Sequence, residues 1–171
     1  MNIKERIKYK EIILKCTRLC GGLTGKYATK LCDDESIFKE MMEDCQIRKI
    51  PIEVRMSDKT RKKIFLYEEV VKTRPPQFPN MKEEDATKIS LLNKCYITYN
   101  SPNTSWFDQN DIARFASSSG VAGKLVPNMM FYNGEKMIAI YVLRSYSKLT
   151  DFEKERIENE LGADEVLEFL F

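Results

Sequence analysis

Histidine does not occur among the 171 residues. That absence removes Ser-His-Asp and Cys-His catalysis and every His-ligated metal site. A general base near neutral pH would have to be a carboxylate, lysine, tyrosine or thiolate of shifted pKa. Long apolar runs are also missing. None approaches the ~18 residues that cross a bilayer, so no integral membrane segment and no membrane partner is expected. The opening MNIKERIKYKEIILKC scatters charge where a signal peptide needs an apolar stretch and a cleavage site, which makes the protein cytoplasmic by expectation. Ser117-Ser118-Ser119-Gly120 is nothing like a GxxxxGKS loop, so nucleotide phosphates have no evident cradle. No CxxC pair occurs among the five cysteines, Cys16, Cys20, Cys32, Cys45 and Cys95. A four-Cys zinc site would have its ligand count from the first four but poor spacing, and each cysteine reads instead as a reduced, small, buried hydrophobe. Internal repeats and low-complexity tracts are absent.

The chain does have 43% hydrophobic residues, 11% aromatics and 32% charged residues. That is enough for a core and excludes a wholly disordered chain. The length suits one large domain or two small ones. Charge is uneven: residues 1–76 hold 18 Lys and Arg against 12 Asp and Glu, whereas residues 77–171 hold 10 against 14. Two units are expected, 1–75 and 76–171. The seam falls in Lys72-Thr73-Arg74-Pro75-Pro76-Gln77-Phe78-Pro79-Asn80, where three prolines block helix and hinder a central strand.

In the front unit, Ile7, Ile12, Cys16 and Leu19 recur at helical spacing and predict a helix over 3–19, ended by Gly21-Gly22. Thr24 caps a short helix over 25–32, with Ala28 and Leu31 inward and Lys26, Tyr27 and Lys30 outward. Asp33-Asp34-Glu35-Ser36 supplies cap chemistry for a third helix over 36–46, which buries Ile37, Phe38, Met41, Met42 and Cys45. Two strand-like runs, 49–56 and 63–71, flank the turn Ser57-Asp58-Lys59-Thr60. Arg55, Lys59, Arg61, Lys62 and Lys63 crowd its tip and flanks. This order of elements, with the pattern LTGKYATKL, resembles the winged helix-turn-helix domain, in which a Leu-Thr pair opens the second helix and Ala and Leu point to the core.

The resemblance covers residues 1–75 and implies DNA as the partner. Winged helices put the third helix in the major groove and the wing over phosphates or the minor groove. Phosphate contacts need Lys and Arg, and the hairpin offers five. The third helix suits that role poorly, since Glu40, Glu43 and Asp44 stand against Lys39 alone among its exposed positions. The candidate DNA-binding residues are therefore Arg55, Lys59, Arg61, Lys62 and Lys63 on the wing, with Lys26, Tyr27 and Lys30 on the second helix. Plainer readings stand beside these: a solvated hairpin, a solvated helix face for Lys26 and Lys30, and packing against the wing for Tyr27.

In the rear unit, Glu83–Leu92 predicts a helix with Ala86, Ile89 and Leu92 on one face. Cys95-Tyr96-Ile97-Thr98-Tyr99 alternates like a short strand or extends that helix. Trp106 is expected as a core anchor ahead of a helix over 108–117 that carries Ile112, Ala113 and Phe115. Asn133-Gly134 between apolar runs is a strong hairpin signal. Thr150 and Glu153 form a capping box for a helix over 150–161, with Phe152, Ile157 and Leu161 inward. Gly162 stops it, and Val166–Phe171 forms a closing strand. The result is a small mixed sheet with a right-handed crossover.

This hairpin resembles the core of the PD-(D/E)xK restriction-endonuclease-like fold, whose two carboxylates hold Mg²⁺. With the winged helix ahead of it, the chain is similar to replication-relaxation type proteins of plasmids and conjugative elements. Pro127 matches their Pro-Asp, but Asn128 replaces the Asp, and Ile138-Ala139-Ile140-Tyr141-Val142-Leu143 carries no acid. A neutral amide alone is a poor ligand for a hard cation. The resemblance thus implies a degenerate fold without nuclease chemistry, with no catalytic residue, metal or cofactor. Asn128 has a simpler role open to it, shaping the strand start after Pro127. A residual nuclease would need acids from elsewhere, such as Asp108, Asp111 and Glu135 with Lys136. The acids from Asp151 to Glu168 read as a solvated face or as a dock for a basic partner. The expectation is an α+β protein, a winged helix followed by a degenerate restriction-endonuclease-like α/β domain. It would act as a non-enzymatic DNA-binding regulator or accessory factor in replication or transfer of a mobile element. The alternative is a protein-interaction module, homodimeric or with another protein, that uses its acidic helices.

Overall fold

The computed structural model describes residues 2–71 and 80–171. Its class is α+β, with two four-stranded sheets that each mix parallel and antiparallel pairing. The chain divides into two compact units, Met1–Thr98 and Tyr99–Phe171. Among the described residues no helix is long and apolar enough to cross a membrane.

The first unit opens with α1 (Ile3–Cys20). Asn2 Oδ1 accepts from the Glu5 amide while Glu5 accepts from the Asn2 amide, and Gly21, at φ +71°, ends the helix. Then follow β1 (Leu23–Thr24), α2 (Gly25–Leu31), α3 (Glu35–Glu43), β2 (Ile47–Arg55), β3 (Arg61–Glu69), β4 (Asn80–Lys82) and α4 (Glu83–Tyr99). The sheet order is β1-β3-β2-β4; β3 is antiparallel to β1 and β2, and β4 is parallel to β2. Ile13, Cys16, Leu23, Ile37, Met41 and Ile47 are buried in this unit. Ile52, Val54, Leu66, Met81 and Ile89 form a cluster that joins the sheet to α4.

Several expectations are corrected here. The boundary at 75/76 moves to 98/99, because β4 adds a strand to the first unit's sheet and α4 inserts Asn93 into it. Asn93 donates to the Gly22 carbonyl at 2.8 Å and accepts from the Thr24 amide at 3.0 Å. The expected seam, Lys72 to Pro79, lies outside the described residues. The segment 95–99 is helical, with Leu92, Asn93, Cys95 and Tyr96 on the buried side. The α1 stripe is buried only from Ile13 onward, and Ile7 is exposed, because ion pairs rather than apolar contacts join the front of α1 to α3. The third helix stops at Glu43, short of 46. The Cys45 amide bonds to the Met42 carbonyl and the Gln46 amide to the Met41 carbonyl, closing a Schellman motif with Cys45 at φ +54° in the position glycine usually takes. Cys45 is therefore exposed, while the other four cysteines are buried as expected.

The second unit holds β5 (Ser105–Trp106), α5 (Gln109–Ser118), β6 (Met129–Tyr132), β7 (Met137–Leu143), α6 (Asp151–Leu161) and β8 (Glu165–Leu170). The sheet runs β5-β6-β7-β8, and α6 connects the parallel pair β7 and β8. Trp106 is the expected anchor, its ring 4.6 Å from that of Phe131. The Thr150–Glu153 capping box is present. Phe152, expected inward, is 69% exposed. It precedes the buried Ile157 by five residues, about 140° round the helix. Asn128 takes the simpler of its two roles: its Oδ1 accepts from the Val142 amide at 2.6 Å, and its own amide donates to the Ile140 carbonyl at 2.8 Å. Part of the acidic run is tied internally, with Glu168 on Lys154 at 2.7 Å, Glu160 on Arg156 at 2.8 Å and Glu153 on Lys124 at 2.7 Å.

Candidate nucleic-acid interface

The hairpin of β2 and β3 sorts its side chains by parity. Successive residues of a strand point to opposite faces. One face carries the opposed pairs Val54–Lys62, Ile52–Ile64, Ile50–Leu66 and Arg48–Glu68, and its apolar members join the α4 core. The other carries Arg55–Arg61, Glu53–Lys63, Pro51–Phe65, Lys49–Tyr67 and, at its base, Ile47–Glu69, where Ile47 is buried. The ladder bonds fall on the first set, since Val70 donates to the Gln46 carbonyl and Met56 to that of Thr60, and Gln46 and Met56, the even-numbered residues that flank β2, continue its parity. The second set is therefore non-hydrogen-bonded, where opposed Cα atoms approach to about 4.5 Å. Lys82 of β4 stands beside Arg55 in register. Arg61, Arg55 and Lys82 thus sit abreast on three neighbouring strands, all exposed.

Like charges in directly opposed positions repel. Relief comes from Glu53, whose Oε2 accepts from Arg61 Nη1 at 3.1 Å, with the Arg61 side chain still 71% exposed. At the tip, Asp58 Oδ1 accepts from the hydroxyl of Thr60 at 2.5 Å and its amide at 2.9 Å, which hold the carboxyl below its usual range. Lys59 follows at φ +68°, a left-handed conformation that costs a non-glycine residue roughly 1–2 kcal/mol. Lys59→Gly should therefore keep stability or raise it by up to ~1 kcal/mol in urea unfolding, net of glycine's larger entropy loss.

All five wing candidates, Arg55, Lys59, Arg61, Lys62 and Lys63, are exposed, but the hairpin does not bring them to one face. Lys62 shares the parity of the core-facing set and projects beyond the core's end. Lys26 and Lys30 are exposed on α2. The α2 stripe that lines the groove toward Phe38, Lys49 and Tyr67 is Gly25, Ala28, Thr29 and Cys32, about a third of a turn away from those lysines. Tyr27, expected outward, is buried at 8% exposure. The ammonium groups of Lys26 and Lys30 lie 5.5 and 5.3 Å from its ring centroid, so the lysine stems cover it and it presents no surface to a ligand.

The acids of α3 are also placed differently from the expectation. Glu40 turns toward α1, where Lys10 Nζ and Arg6 Nη2 each donate to it at 2.6 Å. Lys10 and then Arg6 hold its carboxyl below the usual range. A depressed folded pKa stabilises the fold above the ordinary carboxylate pKa, and that stability is lost as pH falls through the folded value. Glu40→Gln should therefore lower the urea midpoint at pH 7, and the gap to the parent should close as acid protonates the parent's own Glu40.

Lys49, Phe65 and Lys82 escaped the sequence reading. Lys49 and Phe65 share the parity of Arg55 and Arg61, so a strict period-2 count along both strands exposes them. Lys82 gives no local signal, because its place depends on a parallel three-residue strand. Among the described residues, no group of three Cys, Asp or Glu side chains is arranged to hold a metal ion. No family model, curated protein or solved structure matches the chain.

Proposed function

We propose that the first unit is a winged-helix nucleic-acid-binding domain with the β2–β3 hairpin as its wing. The observation that carries this is the outward hairpin face: Lys49, Arg55, Arg61 and Lys63, extended by Lys82, against two carboxylates, Glu53 and the Glu69 that Arg18 engages. Such an excess of exposed cations on neighbouring strands attracts a polyanion and releases its counterions. The order helix, helix, helix, hairpin supports the same reading. The engagement of Glu40 by α1 removes one of the acids that weighed against α3 near phosphates.

The chain then acts as a non-enzymatic regulator or accessory factor in replication or transfer of a mobile element, a role supported by the resemblance of its two halves to the replication-relaxation type. The protein-interaction alternative, which uses the acidic helices, would be favoured by exposed apolar side chains on α3. Ile37, Phe38 and Met41 are buried there, so nothing favours it on that helix. The test is a binding titration of generic duplex DNA at two salt concentrations. Four phosphate contacts give a slope of log K against log salt of about −4. No binding at low salt overturns the proposal.

A further inference from the structure

We propose that the outward face of β2 and β3 binds unpaired nucleotides, with Phe65 as the platform on which a base stacks. This rests on the nucleic-acid reading above and narrows it to a substrate class.

Phe65 lies in the middle of that face and is 50% exposed. Pro51 stands directly opposite, and Lys63 and Tyr67 lie two residues to either side on the same face of β3. Lys49 Nζ sits over the Phe65 ring, 4.6 Å from its centroid, so a base takes the part of the ring that stays exposed. Tyr67 is engaged by Phe38, whose ring centroid is 5.0 Å from its own, so Phe65 is the half-free ring of the face. An apolar ring flanked by cations, on a sheet surface whose two carboxylates, Glu53 and Glu69, are each paired with an arginine, has the two features that hold single strands: a π-face for the base and positive charge for the flanking phosphates. Duplex DNA offers base edges in its grooves, and its base faces are already stacked on one another. Phosphate attraction alone would use the cations and leave Phe65 idle. The occupant is therefore single-stranded DNA or RNA, whose shared chemistry is an unstacked base on a phosphodiester chain.

Fluorescence anisotropy with the full chain tests this, using oligo-dT, oligo-rU and a duplex of equal length. Phe65→Ala should weaken oligo-dT or oligo-rU binding roughly 5- to 100-fold, the range seen for loss of one stacked base. It should leave the duplex within about twofold. The preferred oligomer identifies DNA or RNA as the source. Phe65→Trp should retain binding, and its added fluorescence should be quenched by the single strand. Equal losses on duplex and single strands, or no loss on either, overturn the stacking role. If Arg61→Glu weakens both ligands while Phe65→Ala weakens neither, the phosphate reading survives without the platform. If Arg61→Glu also changes nothing, both readings fall. Because Phe65 is half exposed, unaltered circular dichroism is expected for each variant.

Discussion

Arg61→Glu combined with Lys63→Glu should lower affinity for DNA on the order of 100-fold at low salt and flatten the salt slope by about 2. Both side chains lie on the outward face of the hairpin, opposite Arg55 and Glu53. Reversal places two further carboxylates beside Glu53 and leaves Arg55, Lys49 and Lys82 as the face's cations. The fold should survive, since the Arg61–Glu53 pair it breaks is exposed and such pairs contribute little to stability. Lys62→Glu is the control. It changes the same charge one residue away, on the opposite parity, and should cost less than tenfold. Anisotropy at two salt concentrations checks the double variant, the control and the Arg61→Glu single that matches the control in charge. Equal effects from Lys62 and Arg61 would mean that net charge, not the outward face, governs binding.

Asn93→Leu should destabilise the first unit by about 3 kcal/mol or more, read as a lower urea midpoint at unchanged m-value. Asn93 is fully buried. It donates to the Gly22 carbonyl at 2.8 Å, and its Oδ1 accepts from the amide of Thr24 at 3.0 Å and its hydroxyl at 3.3 Å. Leucine strands all three groups, each at the desolvation cost of a buried polar atom. The backbone has little room to turn toward other partners. Gly22 sits at φ +148°, and a Cβ there would fall 2.8 Å from Leu66 Cδ1. A loss under ~1 kcal/mol would show that water replaces the amide.

What could be read from the chain was mostly local. Gly21, the Thr150–Glu153 box and Asn133-Gly134 announce their helix end, helix start and hairpin through chemistry confined to a few neighbours. The basic tip was legible for the same reason, as five cations within nine residues of sequence. Long-range partners were not. Nothing near Asn93 signals that it serves Gly22 and Thr24, so α4 was assigned to the wrong unit. Residue type also misled where surroundings decide: Tyr27 read as a surface aromatic because its cover, two lysine stems, counts as polar in any pattern. Cys45 ends a helix where glycine is the usual signal, so that helix read too long.

The parity that points Phe65 outward also sends the Pro51 nitrogen away from β3, toward the flank of β2 on which β4 pairs with Glu53–Arg55. A proline there has no amide proton to offer a newcomer. Any strand that pairs along that flank meets a gap in its ladder at Pro51. The hairpin therefore displays its ring and its row of cations beside a backbone position that offers no bond to a second copy.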